Sequence, residues 1–215
     1  MTTPPNHARS EPGPSRSRSN RRASWPPSLK LDRWAALRAV EFMGYYVRAF
    51  CTNPKVPDLT SIQAWLRQRQ SAAIIDDPNH AVEAAQAGES RPSVLDLATS
   101  DWEQVAIAYR AGKLPILAEC NRDDGTDESL MREEIAEFVE FIGEPGRSAA
   151  RQRVLEHLVA TRFVISCQLP TSDIEDDGLD ANGDFLSFFV EHCGGMIQAD
   201  GEGFYDGDEV IVPLK

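Results

Sequence analysis

FVISCQLPTSDIEDDGLDANGDFLSFFVEHCGGMIQADGEGFYDGDEVIVPL, residues 163–214, carries the clearest punctuation in the chain. Its first apolar run, Phe163–Leu169, reads as a strand. An acidic, glycine-containing loop follows. The spacing then predicts a helix over Asp184–Cys193 with Phe185, Leu186, Phe189 and Val190 on its apolar side. Gly194 supplies a left-handed stop. Met196–Ala199 and Glu209–Leu214 read as two further strands, with FYDGDE as the hairpin turn between them.

Working upstream, Leu114–Cys120 reads as another strand, leaving through the turn sequence NRDDGTDES. Leu130–Ile142 predicts a helix with Leu130, Ile135, Phe138, Val139 and Ile142 on one face and Thr126, Asp127 and Glu128 at its positive end. Ser148–Thr161 predicts a second, with Val154, Leu155, Leu158 and Val159 inward. WEQVAIAYRAG, capped by Ser100 or Asp101 and ended by Gly112, reads as a third. The order from residue 101 is then α, β, α, α, β, α, β, β. This predicts an α+β fold: a two-layer α/β sandwich, a small mixed sheet with helices mainly on one face. A ferredoxin-like order would suit part of it.

The N-terminal half reads differently. Residues 1–29 are rich in Pro, Ser and Arg and bury too little to offset chain entropy, so a disordered tail is expected. Its Arg16, Arg18, Arg21 and Arg22 could tether the chain to an acidic surface. Residues 31–51 predict a helix on the spacing of Leu31, Trp34, Leu37, Met43, Val47 and Phe50. Shorter helices are expected from Leu59 to Gln70, capped by Asp58 or Thr60, and over His80–Ala87, ended by Gly88. The expected division is a tail at 1–29, a helical N-terminal extension at 30–99 and a compact α/β domain at 100–215.

Charge is the most informative bulk property. Residues 1–30 carry six Lys/Arg against one Glu, a net of +5; the other residues carry 16 basic and 33 acidic side chains, a net of −17. A body this acidic repels phosphate backbones, which disfavours a broad nucleic-acid platform and favours a basic protein partner. The four cysteines, Cys51, Cys120, Cys167 and Cys193, form no C-x-x-C pair and read as reduced, buried thiols. No apolar stretch reaches the roughly 18 residues of a membrane span. The N-terminus has no apolar signal region. The expected location is the cytoplasm.

The chemical candidate is Asp173–Asp184, DIEDDGLDANGD. Asp173, Glu175 and Asp177 alternate, Gly178 is sixth and Asp184 twelfth, the order of a calcium-binding EF-hand loop. Glu at the third position, Asp at the twelfth and a preceding strand depart from that pattern. Turn and helix-cap chemistry explains the same residues, so calcium is the alternative and no cofactor is the expectation. A second acidic group contains Asp200, Glu202, Asp206, Asp208 and Glu209. Residues 170–215 hold twelve acids and one base, Lys215, so any counter-charge must come from Lys113, Arg122 or the helices. No nucleophile elbow, zinc-binding histidine pair or phosphate loop is present. Glu191-His192-Cys193 does not aim His192 at Cys193, because adjacent helical residues diverge.

The functional expectation is therefore a non-enzymatic acidic module that binds a basic protein, as inhibitors and immunity proteins do. Its expected contacts are Asp173, Glu175, Asp177, Asp180, Asp200, Glu202, Asp206 and Asp208. The alternative is a metal-dependent hydrolase drawing carboxylates from loops 173–184 and 200–209.

Overall fold

Alternation, not helical spacing, governs the first segment. The computed structural model describes residues 44–126, 129–144 and 146–214. The expected tail and its arginines, residues 31–43 of the expected first helix, and Asp127, Glu128 and Lys215 lie outside the described residues. Within them, Tyr45–Cys51 is a strand, β1, rather than the end of a helix. Tyr45, Val47, Ala49 and Cys51 enter one apolar cluster, while Phe50 enters another. Val47 and Phe50 fit a helical spacing equally well, but the period-two burial puts them on opposite faces of a sheet.

The same correction applies to the helix expected at 102–112. Gln104–Ala108 is strand β3, with Val105 and Ile107 on one face and Gln104 and Ala106 on the other. Elsewhere the elements follow the sequence more closely. Helix α1 is Leu59–Gln68, capped by Asp58, whose carboxylate accepts from the Ser61 amide. Strand β2 is Ile74–Asp76 and helix α2 is Pro78–Ala87, closed by Gly88 in a left-handed conformation. Strand β4 is Ile116–Arg122. Helices α3 and α4 are Leu130–Ile142 and Ala149–Ala160. Strand β5 spans Phe163–Leu169. Helix α5 is Asp176–Cys193, and β6, β7 and β8 are Gly195–Ala199, Gly203–Asp206 and Glu209–Pro213.

The eight strands form one sheet in the order β2-β3-β4-β5-β1-β6-β7-β8, and every neighbouring pair is antiparallel. The fold is α+β. Its sheet is wider than the C-terminal half alone could supply, because β1 lies between β5 and β6. Residues 45–108 thus give three strands and two helices to the same sheet, so over that range they are not a helical extension outside the compact unit.

The two sheet faces are covered unequally. On the first face α1 and α5 bury Leu59, Ile62, Leu66, Phe185, Leu186 and Phe189 against Val47, Ile107, Ala118 and Ile165. Each such fully buried side chain is worth about 1.5–3 kcal/mol in transfer free energy. On the second face α3 and α4 close over Phe50, Val164, Met196, Phe204 and Val212. Val154 and Leu158 point into this cluster, whereas Val159, expected inward, is 79% exposed. Helix α2 flanks β3 on the same side as Asp76 and Leu117. Between α2 and α3 part of β4, β5 and β1 stays uncovered.

Candidate binding trough

Strand register sets the floor of that uncovered strip. Glu119 on β4 pairs with Ser166 on β5, Ser166 with Arg48 on β1, and Arg48 with Gln198 on β6. These four polar side chains therefore form one row across the second face. The neighbouring row is Leu117, Gln168 and Tyr46. One cavity of about 390 Å³ lies over the second row toward α2, lined by Gly44, Val82, Leu114, Pro115, Leu117 and Gln168 among others. Another, of about 260 Å³, lies over the first row toward α3. The two recesses lie over neighbouring rows of this face and are together called the trough: its α2 end mixes Val82, Leu114 and Leu117 with Gln168, Thr171 and Ser172, and its α3 end is acidic, lined by Glu119, Glu133, Glu134 and Glu137.

Arg48 anchors the acidic end. Its Nε donates to Glu134 Oε1 at 2.5 Å, and its Nη1 donates to Asp200 Oδ1 at 2.5 Å and to Gln198 Oε1 at 2.8 Å. The guanidinium also sits 5.0 Å from the centroid of the Tyr46 ring and 5.6 Å from that of Phe138, within cation–π range. Burial pushes the Glu134 carboxyl above its ordinary value, and Arg48 offsets this only in part. Arg48 is held protonated because Asp200 and Glu134 outweigh the desolvation of its guanidinium.

The acids expected as a binding face are distributed differently. Asp173 accepts from Lys113 Nζ at 3.2 Å and from the Leu114 amide at 2.7 Å. Glu175 meets Arg110 and Lys113, each at 2.5 Å, and these two cations hold its carboxyl down to about 2. Asp177 lies 3.2 Å from Arg110. Asp184 pairs with Arg69 at 2.9 Å. Asp206 is bound by Arg153, and Asp200 by Arg48. Glu202, almost buried, accepts from the Tyr45 hydroxyl at 3.2 Å and from the Tyr205 hydroxyl. Asp180 sits within α5 and Asp208 is exposed in the β7–β8 turn. The counter-charges missing from residues 170–215 thus come from Arg48, Arg69, Arg110, Lys113 and Arg153. Arg122 turns instead to the Ser100 and Trp102 carbonyls.

Helix α5 also redraws the calcium-like stretch. It begins at Asp176, not Asp184, so most of the expected loop is helical. Asp176 and Asp177 occupy its first turn, where carboxylates complement the helix dipole. Gly178 is required by proximity: a Cβ there would lie 2.7 Å from the Ile174 side chain and 2.8 Å from the Tyr109 ring. Tyr109 is buried beside these acids, and its hydroxyl is pushed up to about 12, first by burial and then by Asp173 and Asp177.

The two acidic loops do not converge through Asp177 and Asp206. The register puts the β5–α5 connection and the β6–β7 turn at the Tyr45 end of the sheet, and the Asp206–Glu209 turn at the other end. Among the described residues no group of three or more His, Cys, Asp or Glu is placed to hold a metal ion.

Other reactive groups are tied into the fold. His80 Nδ1 lies 2.6 Å from Asp76 Oδ2, and Asp76 also accepts from the Asp77 and Val94 amides, which pins the loop after α2. His192 packs edge-on to Trp65 at 5.0 Å, away from Cys193 as its helical position predicts. All four cysteines are free and buried. Burial pushes Cys120 and Cys193 up to about 11 and raises Cys51 and Cys167 as well, the opposite of an activated thiolate.

The trough was not visible in the sequence as a site. Its signal would have been Arg48 and Ser166 at the polar positions of otherwise apolar strands, which needs β1 to be read as a strand. No helix among the described residues is long and apolar enough to cross a membrane. Comparison with protein-family models, with curated proteins and with solved structures gives no match to this chain.

Proposed function

We propose that the protein is a non-enzymatic binding module that engages a basic protein partner, inhibitor- or immunity-like in character, through the trough between α2 and α3. The observation that carries this reading is the α3 wall. Glu133 and Glu137 line an open recess and take part in no ion pair among the described residues, whereas the loops at 173–177 and 206 are neutralised by their own Arg and Lys. The loop acids contribute to the long-range field, and the α3 glutamates supply contacts. Residues 44–215 carry 31 acids and 14 bases, a net of −17, which would accelerate encounter with a cationic surface and make it salt-dependent. The α2 end, where Val82 and Leu114 stand beside Gln168, Thr171 and Ser172, suits a segment that mixes polar and apolar side chains.

The test is capture from a lysate at low salt with the wild-type chain and with the Glu133→Lys/Glu137→Lys chain, followed by identification of retained proteins. Wild type should retain basic proteins that the charge-reversed chain loses. The same set retained by both would contradict the proposal.

A further inference from the structure

The α3 end of the trough has features beyond negative charge. Its volume of about 260 Å³ falls below the roughly 300–1,000 Å³ of pockets that enclose whole small molecules, which matches a single side chain better. Four glutamates and one arginine line it, and the arginine is already engaged by Glu134, Asp200 and Gln198. Glu119 accepts from the neutral Gln104 amide at 3.2 Å, so its charge is not offset there. Ser166 forms part of the floor. It is 5% exposed, and its buried hydroxyl oxygen has no hydrogen-bond partner. Buried hydroxyls in folded proteins are nearly always paired, and Ser166 belongs to the lining of the recess, so a polar guest that reaches its oxygen supplies the missing partner.

Resting on the basic-partner reading above, we infer that this recess seats one arginine side chain of the partner. Its guanidinium lies among Glu119, Glu133 and Glu137 with an N–H donated to Ser166 Oγ, and its stem runs along Tyr46 and Leu130. Four arguments favour guanidinium. Carboxylates approach from β4 on one side and α3 on another, with a hydroxyl beneath, which suits a planar group with five diverging donors better than a compact ammonium. The rim is apolar as well as acidic: Leu130 is 69% exposed and the Tyr46 ring forms a wall. A metal ion is a poor guest, because no metal-holding group of carboxylates exists among the described residues. Glu137 also adds to the pressure that raises the Glu134 carboxyl, so a cation at Glu137 relieves a repulsion already present.

The experiment is an amide NMR titration of the full chain with N-acetyl-arginine methylamide, its lysine counterpart and its uncharged citrulline counterpart. Arginine should produce saturable shifts at Asn121, Glu133, Glu137 and Ser166. Citrulline should produce none, and lysine should bind several-fold more weakly. Glu137→Gln and Ser166→Ala should each weaken arginine binding by about threefold while the rest of the spectrum is retained. Equal effects of arginine and citrulline, or no saturable shift at the recess, would overturn the assignment. A silent arginine titration beside charge-sensitive capture of a basic protein would sink the arginine seat and leave the broader reading standing. A specific arginine titration with no basic protein captured would leave a guanidinium-selective recess but overturn the claim that a protein partner fills it.

Discussion

Arg48 Nε on β1 lies 2.5 Å from Glu134 Oε1 on α3, with the two side chains 14% and 19% exposed. This pair ties the acidic helix to the middle of the sheet and fixes the wall of the trough. Removing one partner leaves a largely desolvated charge. Arg48→Met should destabilise the fold by about 3 kcal/mol in urea denaturation. Adding Glu134→Leu to the same chain should recover much of that loss. A double variant as unstable as the single one would show that packing, not charge pairing, sets the cost.

Asp76 gives the fold an acid-sensitive latch. Burial opposes its ionisation, but bonds from His80, Val94, Asp77 and Ser93 outweigh that and hold its carboxyl below the ordinary value. The unfolded chain therefore takes up the extra proton. The stabilisation is complete above about pH 4, the unfolded carboxylate value, and is lost as pH falls through the lower folded value. Asp76→Asn should cost about 1–3 kcal/mol at pH 7. Its stability should also fall less steeply than wild type on acidification. Parallel acid titrations of the two chains would contradict this.

Calcium should leave the melting temperature unchanged at millimolar concentration. Asp173, Glu175 and Asp177 are occupied by Lys113 and Arg110, and the residues that follow are helical. A rise of several degrees that Asp177→Ala abolishes would sink this account of the stretch.

Gly203 has very little room. Its φ is +140°, and a Cβ would lie 2.2 Å from the Val212 carbonyl oxygen and 2.8 Å from the Pro213 Cα, both backbone atoms of the paired strand. Gly203→Ala should cost about 2–3 kcal/mol, from strain and displacement of β8. Gly44→Ala meets only the flexible Gln168 side chain and should cost much less. Thermal unfolding of the two variants side by side checks the order.

Part of the C-terminal unit was legible because its signals are local, but not β7: Phe204, Tyr205 and Asp206 of the expected FYDGDE turn are in a strand between β6 and β8, and the turn is confined to the residues after Asp206. Phe163–Leu169 has the expected bounds, and Gly88 and Gly194 end their helices as their positions predict. The central strand was not legible. Tyr45–Cys51 satisfies helical and strand spacing at once, and only pairing with β5 and β6, more than a hundred residues away, decides between them. Gln104–Ala108 was misread for a related reason: an alanine-rich segment behind a capping residue satisfies helix signals until β2 and β4 flank it. The α5 start was missed because its acids and glycines imitate a loop. Net charge was readable from composition, but not which acids are neutralised, since their cations come from four other elements and connections.

Whether the α3 wall or the acidic loops meet a cation is the central question, and hydrogen exchange of the full chain with and without saturating arginine-rich peptide answers it most directly. Protection should appear over residues 117–122 and 130–137, with little change at 173–184 and 200–209. Protection confined to 173–184 and 200–209, with α3 unchanged, would contradict the account.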